Sequence, residues 1–267
     1  MKLEIINPID YPDWDKLLLT NEHYSFFQTS YWAKVLHDAY GYKPLYFTAI
    51  DKGRLAVLVP IMEIKSFLTG KRGVSLPFTD FCEPMIPQGD GRGVWEALQQ
   101  YGRKAGWKYL EIRGGDGLCQ TSQPSSWYYE HVLDLSIGAE KVFSQFRDSH
   151  KRNIKKAKKA GVEVDISDTA EAMDEFYRLH CMTRKMHGLP PQPFSFFTNI
   201  YDHIISKGHG LFVNARYRGQ VCAASVYFHI GDKAIYKYGA SDFTFQDLRP
   251  NNLVMWKALE WYCEKGF

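Results

Sequence analysis

The sequence predicts an α/β protein built as two tandem copies of one unit, and three observations carry that reading. Residues 45–50 and 55–64, rich in β-formers, flank the turn Asp51-Lys52-Gly53 and read as a hairpin. The same arrangement returns at 211–216 and 221–230 around Tyr217-Arg218-Gly219, so Gly219 falls 166 residues after Gly53. The helical pattern WxALxxYxxK occurs at Trp95 and again at Trp256, each time closed by a glycine.

Around these anchors the first unit reads in order. A helix over 30–41 places Trp32, Val35, Leu36 and Ala39 on one face and stops at Gly41. The hairpin follows, then a third strand at 74–76, the helix at 95–106 and a strand at 107–113. In the second unit the counterparts are a helix over 193–208, the hairpin, a third strand at 234–238 and the helix from Trp256. Ahead of them stand a strand-like stretch at 129–135, one helix over 139–160 with Phe143, Phe146, His150, Ile154 and Ala157 in a stripe, a strand at 162–166 and a helix over 170–186. The Gly-, Ser-, Gln- and Pro-rich loop 114–128 separates the units, and the boundary is placed between residues 125 and 126. The strand matching 107–113 has no counterpart before Phe267, so the second unit is expected to be incomplete at its C-terminus.

Composition narrows the class of protein. With 267 residues, 45% apolar, the chain has material for two cores. A net charge of +3 and 24% charged residues announce no bulk attraction to nucleic acid or membrane. No stretch reaches the roughly 18 apolar residues of a membrane span. The N-terminus lacks a signal-peptide pattern, so a cytoplasmic protein is expected, with membrane contact at most peripheral. Five cysteines, widely spaced and without CxxC, point to reduced thiols rather than disulfides, and no metal site is expected.

Four segments could carry chemistry. Lys151, Arg152, Lys155, Lys156, Lys158 and Lys159 put six cations in nine residues with no acid, an arrangement that costs an isolated helix stability and suits a phosphate-bearing ligand. Arg152 and Asn153 lie nearest the apolar stripe. Arg184 and His187 sit in the last turn of a helix that ends at Gly188, before a proline-fixed loop. Between the third strand and the last helix, YKYGASDFTFQDLRPNN places Tyr236 and Tyr238 on one strand face, then Ser241, Asp242, Arg249 and Asn251, with Asn251 or Asn252 as a helix cap. Gln88, Gly91 and Gly93 form Q-x-x-G-x-G just before a helix, a pattern that resembles the pyrophosphate loop of GNAT acetyltransferases.

Taken with FFQTSYWAKVLHDAYGYKPLYF, VSLPFTD, RNIKKAKKAGVEV and HGLPPQPFSFF, these segments resemble the FemAB-like branch of the GNAT acyltransferases over nearly the whole chain. The resemblance implies two tandem GNAT-like domains, 1–125 and 126–267, each a mixed, mainly antiparallel sheet flanked by helices. It implies acyl or aminoacyl transfer from an activated donor to an amine, in cell-wall or polysaccharide precursor synthesis. The donor would be aminoacyl-tRNA or acyl-CoA, with no tightly bound cofactor, and the acceptor an anionic or lipid-linked molecule. Members that use aminoacyl-tRNA often carry a coiled-coil arm, for which this sequence has no heptads.

Amine acylation needs a base, an acid and oxyanion donors. Asp242 or His187 is the expected base, Tyr238 the acid or orienting donor, and backbone N–H groups near Gly239 the oxyanion donors. Arg152, Arg184 and Arg249 are expected to hold anionic groups of substrate. Tyr31, Phe78, Thr79 and Asp80 would face the acceptor. Two alternatives stay open: a coenzyme-A-dependent N-acetyltransferase using Gln88, Gly91 and Gly93, and a non-catalytic nucleic-acid-binding protein using helix 151–159.

Overall fold

The computed structural model describes residues 2–79, 81–87, 89–118 and 123–267. The chain divides between Tyr128 and Tyr129 into two compact units.

The first unit contains β1 (Glu4–Ile6), α1 (Trp14–Leu18), α2 (Ser30–Tyr40), β2 (Lys43–Asp51), β3 (Arg54–Ser66), β4 (Gly70–Val74), α3 (Gly91–Ala105) and β5 (Leu110–Glu111). Its sheet runs β1-β2-β3-β4-β5, antiparallel except for the parallel β4–β5 pair. Helix α2 begins where Thr29 accepts from the Trp32 N–H at 3.2 Å and ends at Gly41, whose φ of 69° lets its N–H reach the His37 carbonyl at 2.7 Å.

The second unit contains α4 (Ala139–Gln145), α5 (Asp148–Lys159), β6 (Glu163–Ser167), α6 (Ala170–Met186), α7 (Phe194–His203), β7 (Gly210–Tyr217), β8 (Gln220–Ile230), β9 (Lys233–Ser241) and α8 (Pro250–Glu264). Its sheet runs β6-β7-β8-β9, antiparallel throughout. Leu211, Val213, Ala215, Ala223 and Tyr227 face α5 and α8, where Ile154, Ala157, Leu253, Trp256 and Tyr262 close the core. The opposite face meets α6 and α7 through Phe176, Phe197 and Phe212.

The repeat extends to irregularities of the backbone. Lys52 and Gly53 both have positive φ, 48° and 77°, as do Arg218 and Gly219, 52° and 80°. These are the two left-handed positions of a tight two-residue hairpin turn, which suits strand twist and costs a non-glycine residue strain. Each hairpin also carries a bulge, between Ala49 and Ile50 in the first unit and between Ala215 and Arg216 in the second, again 166 residues apart. The two long helices end alike. Gly106 and Trp107 donate to the carbonyls of Arg103 and Gly102, while Gly266 and Phe267 donate to those of Cys263 and Tyr262.

Several elements differ from expectation. The helix expected over 139–160 is two, because Phe146 and Arg147 take extended conformations and the chain turns there. The break brings both Phe143 and Phe146 onto the Trp256 ring, at centroid separations of 4.7 and 5.7 Å. Residues 129–135 form no strand, and Tyr129 and Val132 are exposed. The third strands are β4 at Gly70–Val74 and the longer β9, and the 107–113 strand contracts to β5. β1 and α1 had no clear periodicity to announce them.

Trp256 is 6% exposed beneath α4, whereas its counterpart Trp95 is only half-buried. Trp256→Ala should therefore destabilise the protein by about 3–5 kcal/mol, the usual cost of emptying a core tryptophan site, and Trp95→Ala by less. Urea unfolding of the two variants measures the order.

Candidate active site

The site grows from the end of β9. From Ala223 to Ile230 the residues of β8 pair in unbroken order, but Val226 opposes Tyr238 while Tyr227 opposes Tyr236, leaving Lys237 as an extra residue. A bulge of this kind reverses the alternation on the longer strand. Tyr236 and Tyr238 therefore lie on opposite faces, not on one as their spacing suggested. Tyr238 enters the aromatic box of α6 and α7, with ring centroids 5.5 Å from Phe197 and 6.2 Å from His180. Tyr236 packs at 5.4 Å on Tyr227, on the α8 side.

Past the bulge the strand carries Gly239, and a Cβ there would overlap the Tyr236 hydroxyl. The glycine thus makes room for a phenol lying against the backbone. Partial desolvation raises the Tyr236 phenol above its ordinary pKa; like any tyrosine hydroxyl it is a protonated donor at neutral pH.

The outer edge of β9 has no strand neighbour among the described residues. The Asp242 N–H turns inward to the Cys222 carbonyl at 2.9 Å, so the alternating Ser241 and Gly239 present their peptide groups outward. At Ser241 those groups meet Thr183 of α6, whose hydroxyl accepts from the Ser241 N–H at 3.1 Å and donates to its carbonyl at 3.3 Å. Asn251 donates to the Ser241 hydroxyl at 3.2 Å. A cleft of about 250 Å³ opens here, lined by Thr183, Ser225, Tyr236, Gly239, Asn251 and Met255 among others.

Helix α8 rises from this cleft after Arg249, at a φ of 61°, and Pro250 in its first turn. Neither asparagine caps it. Asn251 is drawn to Ser241, and the Asn252 amide lies 3.5 Å from His150 Nδ1. Asp242 instead caps the 3-10 turn of Phe243–Leu248, its carboxylate accepting from the Thr244 N–H at 2.9 Å and hydroxyl at 2.7 Å.

Of the residues singled out in sequence, Tyr236, Gly239, Ser241 and Asn251 come together in the cleft. Thr183, Ser225 and Met255 join them without a sequence signal, since spacing alone does not tell which residues a helix end and a neighbouring strand bring to one place. His187 is exposed at the C-terminus of α6. Arg184 spends its Nε–H on the Pro190 carbonyl at 3.1 Å, fixing the proline loop. Arg249 is exposed. On α5, Asn153 is half-buried, and Arg152, Lys155, Lys156, Lys158 and Lys159 are exposed with no ion pair to a described acid. Lys151 donates to the Ser144 carbonyl at 2.7 Å.

A second, more open hollow of about 440 Å³ lies beside the β7–β8 turn, next to Gly161, Arg216 and Arg218. Its arginine Arg216 is already committed, forked onto Glu175 at 2.8 and 2.5 Å and bonded to Asp165 at 2.9 Å. The smaller cleft, with open peptide groups and an orienting phenol, is the better site.

In the first unit, Tyr31 is half-buried in the first turn of α2, and Phe78 stacks on Tyr40 at 5.0 Å, which in turn stacks on Tyr42 at 5.2 Å. Thr79 is buried, its hydroxyl donating to the Leu76 carbonyl at 2.6 Å and its carbonyl accepting from Arg113. Leu76 and Phe78 both have positive φ, 55° and 62°, a strained pair held by these bonds. Asp80 and Gln88 lie outside the described residues. Gly91 and Gly93 fall inside α3 rather than in a loop before it, and the Gly117 carbonyl occupies the place a Gly91 Cβ would take. Packing of the chain on itself accounts for that glycine.

Among the described residues no cluster of His, Cys, Asp and Glu could hold a metal, and no helix is long and apolar enough to cross a membrane. Comparison with known proteins adds identity to this geometry. Residues 144–267 match the family described as acetyltransferase (GNAT) domain. Over 127 residues the chain is 26% identical to the UDP-N-acetylmuramoylpentapeptide-lysine N(6)-alanyltransferase of Weissella viridescens, a stretch covering 47% of this chain and 37% of that relative. The match thus spans little more than a third of the curated relative's length. A crystal structure of FemX superposes with a TM-score of 0.73 at 14% identity, covering 100% of this chain and 87% of that one. The C-terminal domain of a putative lysylphosphatidylglycerol synthetase from Agrobacterium fabrum superposes with a TM-score of 0.56 at 10% identity, covering 95% and 74%. These superpositions give the fold: mixed α/β, two helix-flanked sheets of GNAT and FemX type.

A buried histidine, His180, and a half-buried one, His229, set a pH dependence in the second unit. His180, 5% exposed and 2.8 Å from the Gln192 side-chain oxygen, has its pKa lowered by burial and by the Arg184 charge, against the Gln192 bond. His229, held between the Gly208 carbonyl and the Tyr262 hydroxyl, is lowered chiefly by burial. The unfolded chain takes up these protons first, so the stability is whole above about pH 6.5 and falls as pH drops below it. Melting temperatures from pH 8 to 5 should decline on the acid side, less steeply in His180→Gln.

Proposed function

We propose that this chain, which belongs to the FemAB-like family of the GNAT acyltransferases, transfers an acyl or aminoacyl group from an activated donor to an amine of a cell-wall precursor. The observation that carries the reading is the open edge of β9, where the Gly239 peptide, the Tyr236 hydroxyl and the start of α8 border one cleft.

In this reading the donor carbonyl lies against the β9 edge. A neutral amine attacks it, the new C–N bond forms, and the Gly239 N–H stabilises the developing oxyanion. The bond from the carbonyl carbon to the departing oxygen or sulfur breaks as that atom takes the Tyr236 hydroxyl proton, and the proton that the attacking nitrogen loses returns to the Tyr236 oxygen, so the phenol ends as it began. Tyr236 thus takes the role that the sequence suggested for Tyr238, which faces the aromatic box. Ser225 and Asn251 orient the substrate, and Thr183 holds the strand end. Asp242 positions the turn before α8. His187 and the exposed arginines Arg152 and Arg249 serve an incoming anionic substrate, while Arg184 fixes the proline loop. The W. viridescens relative's name makes a lysine amine of a UDP-linked muramoyl pentapeptide the first acceptor to try.

The test is transfer itself. The purified chain, given that pentapeptide with either an aminoacyl-tRNA pool or acetyl-CoA, should add one acyl unit, read by mass spectrometry; no product with either donor counts against the reading. Tyr236→Phe should lower turnover by 10²–10⁴-fold, the usual worth of a positioned acid, with KM changed little. Gly239→Ala, which evicts the hydroxyl, should do the same, while Tyr238→Phe should leave turnover near its starting value.

The five exposed cations of α5 favour aminoacyl-tRNA as the donor. Affinity for tRNA should fall roughly 10³-fold between 50 and 200 mM salt if about six phosphates are contacted, and each Lys→Gln change on α5 should reduce the salt slope by about 1. Acetyl-CoA at about 100 times its Kd would stabilise the fold by about 2.7 kcal/mol, and no thermal shift argues against it as the donor.

A further inference from the structure

The turn joining β3 to β4 exposes two large apolar side chains, Phe67 at 103% and Leu68 at 87% of full accessibility. They stand at the tip of the hairpin, beyond the last strand pair, Ser66 opposite Gly70. The tip has internal support: the Thr69 N–H donates to the Ser66 hydroxyl at 3.3 Å, and Arg72 to the Thr69 hydroxyl at 2.7 Å.

Cations surround it. Lys65 and Lys71 are directly opposed across the two strands, a pairing that weakens the hairpin itself. Arg72 lies 5.9 Å from the ring of Tyr109, which is 51% exposed, and the Lys108 side chain crosses Gly70. Residues 64–73, IKSFLTGKRG, contain no acid.

An apolar pair at the very tip, with Lys65 and Lys71 one pair behind it, Arg72 two pairs behind, and Lys108 and the Tyr109 ring beside them, matches the layers of a lipid interface, with acyl chains outside phosphates. We propose that the β3–β4 tip docks this chain on an anionic membrane, with Phe67 and Leu68 entering the acyl boundary and Lys65, Lys71, Arg72 and Lys108 meeting phosphate. The cations select a negatively charged bilayer over an apolar groove in a protein. The proposal stands apart from the acyl chemistry of the second unit, and either can fail alone.

Co-sedimentation of the whole chain with vesicles tests it. Phosphatidylcholine vesicles containing one part in three of phosphatidylglycerol should bind the chain at least roughly tenfold better than phosphatidylcholine alone. Phe67→Ser combined with Leu68→Ser, and separately Lys65→Gln combined with Lys71→Gln, should each reduce that binding by roughly tenfold. Unchanged melting curves would confirm that these tip variants still fold. Phe67→Trp should add a blue-shifted emission component with anionic vesicles. The proposal is overturned if the unaltered chain does not sediment with anionic vesicles. It is equally overturned if the tip variants bind as well as the unaltered chain while Lys155→Gln with Lys156→Gln abolishes binding, since α5 would then be the contact.

Discussion

One extra residue in β9 organises the second unit. Lys237 has no partner position on β8, and the strand beyond it is turned over relative to the strand before it. Without that bulge Tyr236 would share a face with Tyr238: either Tyr236 would leave the α8 side, or Gly239 and Ser241 would be turned away from it. The bulge therefore decides which tyrosine belongs to the core and which to the cleft. Bending a strand at its outer edge also draws peptide groups away from straight ladder geometry, a natural way to offer them to something other than a strand.

Around this point the structure is stiff. Thr183 clamps both peptide groups of Ser241, Asn251 holds its hydroxyl, and Asp242 caps the turn that leads into α8. Beneath them, Trp256 is gripped by Phe143 and Phe146. Helix α8 thus arrives at the cleft through contacts made at both its ends and along its buried face. A catalytic hydroxyl needs such support, because an error of about 1 Å in placement can cost about a hundredfold in rate.

How much of this could be read in the sequence follows from how local each cause is. The hairpins were legible because a left-handed two-residue turn demands glycine at a fixed place, and Gly53 and Gly219 advertise it. The long helices were legible from their apolar spacing and terminal glycines. The stretch 129–135 has strand-like residues and no strand, since pairing depends on tertiary placement that no local pattern reveals. The break at Phe146 was hidden for a related reason: Phe143 and Phe146 keep helical spacing, and only the Trp256 ring, more than a hundred residues away, rewards the turn. The site was half legible. Ser241, Asn251 and the glycine were found because loops between strand and helix concentrate polar and small residues, but Thr183 and Ser225 reach the cleft by tertiary packing alone. That Tyr236 rather than Tyr238 borders the cleft could not be read, because a bulge leaves no mark in residue spacing.

The matched turns at Lys52-Gly53 and Arg218-Gly219 bear on how tolerance to substitution should be interpreted in this chain. Both glycines sit in open space, where an added Cβ meets nothing within 4 Å, yet both hold φ near 80°. A saturation map would show two isolated points of intolerance there, far along the chain from the cleft and touching no ligand. They would record the torsional demands of an inherited backbone, and only sensitivity surviving their subtraction would trace chemistry.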